Sequence, residues 1–330
     1  MFYLIITILL ILSLQLYFII AKKFKIIDKP NERSSHSKIT IRGGGIIYPI
    51  SLICFLTVLS FDNNFNSHIN YWIFGLGLII ISIISFIDDI MMLSPRIRII
   101  FHFLAVSLLL YSINAFSLPI WQIAFYYIFV IGILNSYNFM DGINGITGLY
   151  SLVALVTLYF VNDRIKILDQ DFIIYPILAS LVFLFFNFRK KAKCFAGDVG
   201  SFSISFWIIT VIAAFIIYTG DYKYLLFLTV YGVDSVLTIL ERLKLKENIF
   251  DAHRRHLYQL LVNEKQQSHL LISFVYAFIQ LLINAVIVLT DFSFSQYFLI
   301  LVTPLIILYI AFKLYLIKTF NHNKITQDEN

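Results

Sequence analysis

Apolar runs broken by short polar stretches recur along the whole chain. Eleven of them approach the roughly 20 residues that a helix needs to cross the hydrocarbon core of a bilayer. They fall at 2–21, 44–61, 70–87, 97–114, 118–135, 146–162, 172–188, 200–219, 224–241, 269–290 and 296–316. Lipid cannot satisfy an open backbone N–H or C=O, so a segment that crosses it is a helix. The pattern predicts an all-α fold, a polytopic membrane helix bundle of about 11 transmembrane helices. Residues 1–330 read as one integral membrane domain, with 320–330 expected to be a flexible tail. The Met1–Ala21 run has neither a basic leader nor a small-residue cleavage site, which marks an uncleaved first span rather than a signal peptide.

Composition agrees. The chain is 60% hydrophobic and 13% charged, with mean hydropathy +0.85; a soluble domain carries about 25% charged residues. Charge also orients the spans. With the segment after the first span placed in the cytoplasm, 22 of the 25 Lys and Arg fall on the cytoplasmic side, leaving Arg164, Lys166 and Lys223 outside. The positive-inside rule then predicts the N-terminus out and the C-terminus in. The net charge of +6 is concentrated on the inner face, where it suits anionic lipid heads or a phosphorylated substrate. No nucleic-acid partner is expected. Cys54 falls in a span and Cys194 in a cytoplasmic loop, so neither a disulfide nor a thiolate metal site is expected.

This topology sends five polar clusters to one side: Asp28–Gly45, Asp88–Arg98, Asn135–Gly148, Lys193–Ser201 and Glu241–His256. A purely structural bundle needs no such asymmetry, whereas a catalytic face does. In N-S-Y-N-F-M-D-G-I-N-G-I-T-G, the residues Asn135, Asn138, Asp141 and Asn144 recur every three positions. On a helix Asn138 and Asp141 share a face. Oxygen-bearing side chains without a basic neighbour suit a hard cation such as Mg²⁺, or a hydrogen-bonding ligand; the alternative is a polar helix end at a membrane surface. Asp88 and Asp89 are adjacent carboxylates at a span end, costly to bury without a cation. They serve a metal–diphosphate site or a base, or else cap the helix. Arg96 and Arg98 hold a phosphate or neutralise that pair.

The remaining clusters also carry two readings each. Asp198 lies between Gly197 and Gly200, ahead of an apolar run whose helix N-terminus favours an anion; Gly-Asp-x-Gly-Ser is equally an ordinary turn and cap. Arg33, His36 and Arg42 in the first loop are phosphate contacts or topology-setting charges, and Gly43–Gly45 mark a sharp turn into the second span. Asp234, inside a span, is a functional candidate or the partner of Arg242. His253, Arg254, Arg255 and His256 suit an anion better than a metal.

Taken together, D-K-P-N-E-R-S-S-H with R-G-G-G, the Asp-Asp pair, N-x-x-N-F-M-D-G-I-N-G, F-A-G-D-V-G-S and H-R-R-H-L-Y-Q resemble, in order and spacing over residues 28–260, the polyprenyl-phosphate N-acetylhexosamine-1-phosphate transferases, glycosyltransferase family 4. The WecA/WbpL-like branch of that family is the nearest in pattern, and the histidine-rich H-H-H-x-E segment of the peptidoglycan translocase is absent. The resemblance implies a bacterial inner-membrane enzyme with its site on the cytoplasmic side. Its substrates would be a UDP-N-acetyl sugar and undecaprenyl phosphate within the membrane lipid, its product the lipid diphospho-sugar of a pathway such as O-antigen synthesis, and its cofactor Mg²⁺ or Mn²⁺. A homodimer is common among such proteins. By motif, Asn138 and Asp198 would be metal ligands, and Asp88 would stand near the lipid phosphate with Asp89 supporting it. Asp141 and Asn144 would lie along the nucleotide, Arg98 by the acceptor phosphate, and Arg254, Arg255 and His256 by the donor. Many bacterial members have Asp at the position of Asn144, which argues against a basic or anionic-ligand role there. The rival readings are a transporter or flippase using Asp234 and the Asp88–Asp89 pair, another lipid-phosphate enzyme, and a scaffold without turnover.

Overall fold

A computed structural model describes residues 1–28, 39–61, 68–91, 93–248 and 253–328, with side chains to residue 319. Each predicted apolar run is a helix. In chain order they are α1 (Phe2–Lys23), α2 (Gly44–Leu59), α3 (Tyr71–Met91), α4 (Pro95–Ser112), α5 (Ile120–Met140), α6 (Ile146–Ile165), α7 (Asp171–Asn187), α8 (Gly197–Thr219), α9 (Tyr222–Lys244), α10 (His269–Leu289) and α11 (Phe294–Thr319). Nine of these are long and apolar enough to cross a membrane; α2 and α7 are shorter. The protein is an all-α, multi-pass membrane bundle.

α8 is the axis. Every residue from Val199 to Ile216 is buried, because α2, α3, α5 and α6 pack around it. A helix with no charged residue beyond its first turn can be enclosed in this way. α1 instead buries a single stripe, Ile6, Leu10, Leu14, Tyr17 and Ala21, whose spacing of three or four residues is one helix face. The rest of α1 is left for lipid. Ser82 and Ser203 hydrogen-bond across the α3–α8 contact at 2.7 Å, and the Trp207 indole N–H donates to the Phe172 carbonyl at 2.9 Å.

A polar network inside the bundle answers a backbone need. α9 opens as a 3₁₀ segment, Tyr222–Leu228, before turning α-helical at Thr229, and that change leaves backbone groups that lipid cannot satisfy. Gln280 satisfies them. Its Oε1 accepts from the Val230 N–H at 2.9 Å and the Tyr150 hydroxyl at 2.6 Å. Its Nε2 donates to the Leu226 carbonyl at 3.0 Å and to Asn284 at 2.7 Å.

The polar ends differ from the apolar runs in one consistent way: the helices continue into them. α5 extends to Met140 and carries Asn135 and Asn138; α3 extends past Asp88 and Asp89; α8 starts at Gly197, so Asp198 lies in its first turn. Hydropathy marks where lipid ends, whereas helical hydrogen bonding persists wherever side chains and neighbouring loops support it. Gly44 and Gly45 likewise belong to the start of α2. Their N–H groups donate to the carbonyls of Phe195 and Ala196 at 2.8 and 3.0 Å. A Cβ on Gly45 would lie 2.0 Å from the Gly200 Cα, so this glycine permits a close helix-to-helix approach rather than only a turn. The first loop adds a two-residue antiparallel pairing, Ile27 with Ile41 and Asp28 with Thr40, and Ile41 bridges onward to Cys194.

Candidate active site

The helix ends and loops described above bring residues from four motifs to one end of the bundle. Asp89, in the last turn of α3, is the anchor. Its side chain is wholly buried, and its Oδ1 accepts from Arg42 Nε at 2.6 Å and from the Asp198 N–H at 2.9 Å. Its Oδ2 accepts from the Val199 N–H at 3.1 Å. A carboxylate on the first N–H groups of a helix satisfies donors that have no intrahelical partner and complements the helix dipole. Gly197 makes room for it: φ is +71°, and a Cβ there would meet Asp89 Oδ2 at 2.5 Å. The G-D-V-G-S segment is therefore a capped helix start whose cap comes from α3, 109 residues earlier.

Around this anchor charges of both signs are interleaved. Arg42 also reaches Asp198 Oδ1 at 3.5 Å, and Arg98 Nη1 lies 3.0 Å from Asp88 Oδ2. The Leu93 N–H donates to Asp88 Oδ1 at 2.6 Å. The Asp88 carboxyl is close enough to that of Asp198 to act on it. The sequence Arg98, Asp88, Asp198, Arg42, Asp89 thus forms one continuous patch of three carboxylates and two guanidinium groups. Facing carboxylates would repel if nothing neutralised them; here the two arginines do so in part. The Arg42 guanidinium is held above its ordinary range against the cost of burial by Asp89, then Asp198 and Asp28.

The α5 end adds amides and a further carboxyl. Burial pushes the Asp141 carboxyl up to about 7, against the hydroxyl of Thr147, which donates to it at 2.5 Å. Asp141 also feels the charges of Asp89 and Arg42, which puts it at the same end of the bundle. Asn138 Nδ2 is buried with no hydrogen-bond partner among the described residues. Asn144 has a different task. Its Nδ2 donates to the Arg189 carbonyl at 2.8 Å, its N–H to His269 Nδ1 at 3.3 Å, and its carbonyl accepts from Ser273 at 2.8 Å. An ionised aspartate could not make the first of these bonds, while the amide oxygen is buried with no partner among the described residues.

The H-R-R-H-L-Y-Q segment folds onto the α5 end. Tyr258 donates to the Phe139 carbonyl at 2.9 Å, and the His256 ring centroid is 6.4 Å from that of Phe139. Arg255 is bound to Glu241 at 3.2 Å and Glu247 at 2.5 Å. Lys313 of α11 pairs with Glu241 at 2.6 Å, and Arg242 with Glu247 at 3.1 Å. Arg254 lies beside these residues, half-buried on the same loop. His253 is half-buried, and burial pushes its imidazole down to about 4, with the neighbouring His256 and Arg242 acting in the same direction. Asp234 does not pair with Arg242; it accepts from His256, Tyr276 and Tyr309. Arg33 and His36 lie outside the described residues.

Sequence reading missed Asn187. Its Nδ2 donates to the Cys194 carbonyl at 2.8 Å while its Oδ1 accepts from the Gly145 N–H at 2.6 Å. It therefore stitches the asparagine-rich loop to the loop before α8. The available signal was a lone amide at the end of an apolar run. Cys194 is buried, its thiol pushed up by that burial, consistent with a packing role.

Comparison with known proteins agrees with this geometry. The glycosyl transferase family 4 model matches residues 71–218, which contain Asp88, Asp89, Asn138, Asp141 and Asp198. The chain is 26% identical over 273 residues to the undecaprenyl-phosphate alpha-N-acetylglucosaminyl 1-phosphate transferase of Thermotoga maritima, covering 78% of this chain and 80% of that protein. It is 24% identical over 264 residues to a probable undecaprenyl-phosphate N-acetylglucosaminyl 1-phosphate transferase of Bacillus subtilis, covering 74% of this chain and 71% of that one. With the motifs gathered at one end of an all-helical membrane bundle, the chain is similar to glycosyl transferase family 4 over residues 71–218 and to these two transferases over most of its length.

Proposed function

We propose that this protein transfers an N-acetylhexosamine 1-phosphate from a UDP-sugar to undecaprenyl phosphate, at the cytoplasmic face of a bacterial inner membrane. A phosphate oxygen of the lipid attacks the β-phosphorus of the donor. The bond from that phosphorus to the UMP oxygen breaks, UMP leaves, and the sugar remains on a lipid diphosphate. The product would begin a cell-envelope polysaccharide such as O-antigen.

The observation that carries this reading is the patch of three carboxylates and two arginines, Arg98, Asp88, Asp198, Arg42 and Asp89, at one end of the bundle. Two phosphate-bearing substrates of like charge must meet, and charge neutralisation with fixed positioning supplies most of the catalysis in phosphoryl transfer. Arg98 would hold the acceptor phosphate, with Asp88 orienting it and taking any proton it still carries. Asp89 would keep the α8 start and Arg42 in place. Asp141, at the same end, would line the nucleotide side.

A divalent cation fits the residues present. Among the described residues, no three His, Cys, Asp or Glu side chains stand close enough to hold a metal ion. Mg²⁺ is commonly held by one or two carboxylates, with waters and substrate phosphates completing its shell, and Mn²⁺ shares that preference for oxygen. Asp198 offers a carboxylate. Asn138 offers an amide whose nitrogen is buried and unpartnered among the described residues, so a half-turn of that amide would present its oxygen instead. When bound, the cation would neutralise charge on the transferring diphosphate.

The test is UMP release from membranes given undecaprenyl phosphate and a panel of UDP-N-acetyl sugars. Turnover with at least one donor, dependent on a divalent cation and lost in a membrane-inserted Asp198→Asn variant, is expected. Release of no UMP from any donor would overturn the reading, and near-normal turnover by Asp198→Asn would remove that residue from the metal.

A further inference from the structure

Asp234 lies in α9, buried to 1% exposure. Its Oδ1 accepts from the Tyr309 hydroxyl at 2.9 Å, from His256 Nδ1 at 3.0 Å, and from the Leu257 N–H and the Thr238 hydroxyl at 3.3 Å each. Its Oδ2 accepts from the Tyr276 hydroxyl at 2.6 Å. Donors from α9, α10, α11 and the loop after α9 thus converge on one carboxylate, and His256 is one of them. The consequence for His256 is specific. The residue is 1% exposed, its Nδ1 is committed to Asp234, and its Nε2 is buried with no partner among the described residues. A buried polar atom left unpaired is uncommon and calls for an explanation, a bound ligand, ion or water among them. The ring sits against Phe139, directly after Asn138.

We propose that Asp234 is a positioning residue: it fixes the His256 ring so that Nε2 is the atom presented to the diphosphate of the nucleotide donor. This rests on the transferase reading above. A ring that donates from Nδ1 to a carboxylate and from Nε2 to a phosphate oxygen carries a positive charge, and Asp234 supplies its counter-charge within the protein. The intramembrane aspartate then belongs to donor binding rather than to a transport path. Tyr276 and Tyr309 hold the carboxylate, as second-layer partners hold metal-binding or catalytic histidines elsewhere.

The experiment measures UDP binding to the purified full-length protein in Mg²⁺, using UDP because every candidate donor contains it. Asp234→Asn keeps the shape. With four donors on Oδ1 and one on Oδ2, the amide oxygen stays toward His256 and the amide nitrogen faces only Tyr276, whose hydroxyl can rotate to accept. Asp234→Asn and His256→Gln should each weaken UDP binding by about 10-fold, the loss of one charge-assisted hydrogen bond. The double variant should be no worse than His256→Gln alone, because Asp234 acts through that ring. Losses that multiply, or wild-type binding by Asp234→Asn, would overturn the proposal. Should Asp234→Asn fail to fold, His256→Asn serves instead. Its amide nitrogen can replace Nδ1 against Asp234 but leaves nothing at Nε2, so about 10-fold weaker binding is again expected, and wild-type affinity would reduce the pair to a structural tie. Failure of the wild type to bind UDP would count against the transferase reading itself, and with it this inference.

Discussion

The anchoring of α8 by Asp89 leads to a quantitative prediction for Asp89→Asn. The carboxylate makes three hydrogen bonds, to Arg42 Nε, the Asp198 N–H and the Val199 N–H. An amide has only one oxygen. It best serves Oδ1, where two donors meet, so its nitrogen turns toward the Val199 N–H. One bond is lost, a buried backbone donor is left facing another donor, and Arg42 loses the charge beside it. A charge-assisted bond contributes about 1.5–3 kcal/mol and a stranded buried donor costs about 1–3 kcal/mol. Relaxation at the helix start recovers part of this, leaving a destabilisation of about 3 kcal/mol. The assay is unfolding of the detergent-solubilised protein by increasing SDS, alongside UMP release. Both stability and turnover should fall, because Asp198 stands in the turn that Asp89 holds. Wild-type unfolding in a variant without activity would refute the anchoring argument and make Asp89 a group that acts on substrate.

Other perturbations test separate parts of the structure. Gly45→Ala places a methyl group 2.0 Å from the Gly200 backbone, so α2 and α8 must separate; folded, monodisperse protein should be sharply reduced in yield, and size-exclusion chromatography of the solubilised variant checks this. His253 is held down to about 4 by burial, below the unfolded value of about 6.5. The folded state thus resists a proton that the unfolded chain takes up, and stability should be lost as pH falls from about 6.5 toward 4. His253→Gln should flatten that loss, and unfolding midpoints measured across the interval would show it.

Particular residues show where local pattern carried information and where it did not. All eleven apolar runs became helices, since hydropathy over about 20 residues is a local property that the bilayer enforces without reference to partners. The helix ends were less legible. Asn138 and Asp198 lie inside helices that continue past their apolar runs, because the stopping point depends on what meets the chain there. Asp198 as part of a capped turn was legible from Gly-Asp-x-Gly-Ser, but the capping group was not: it is Asp89, on another helix.

Pairing between distant residues was beyond local reading altogether. A pairing with Arg242, two turns along the helix, was one of two readings of Asp234, yet Arg242 pairs with Glu247, while Asp234 gathers His256, Tyr276 and Tyr309. Arg255, read as a substrate contact by resemblance, is in ion pairs with Glu241 and Glu247. The sequence by itself determined the membrane-helical class and the residue types that meet at one end of the bundle. Tertiary structure decided which carboxylate caps a helix, which one neutralises an arginine and which one holds a histidine. Hydrophobic periodicity is set by neighbours in the chain, whereas ion pairs and hydrogen bonds are set by neighbours in space.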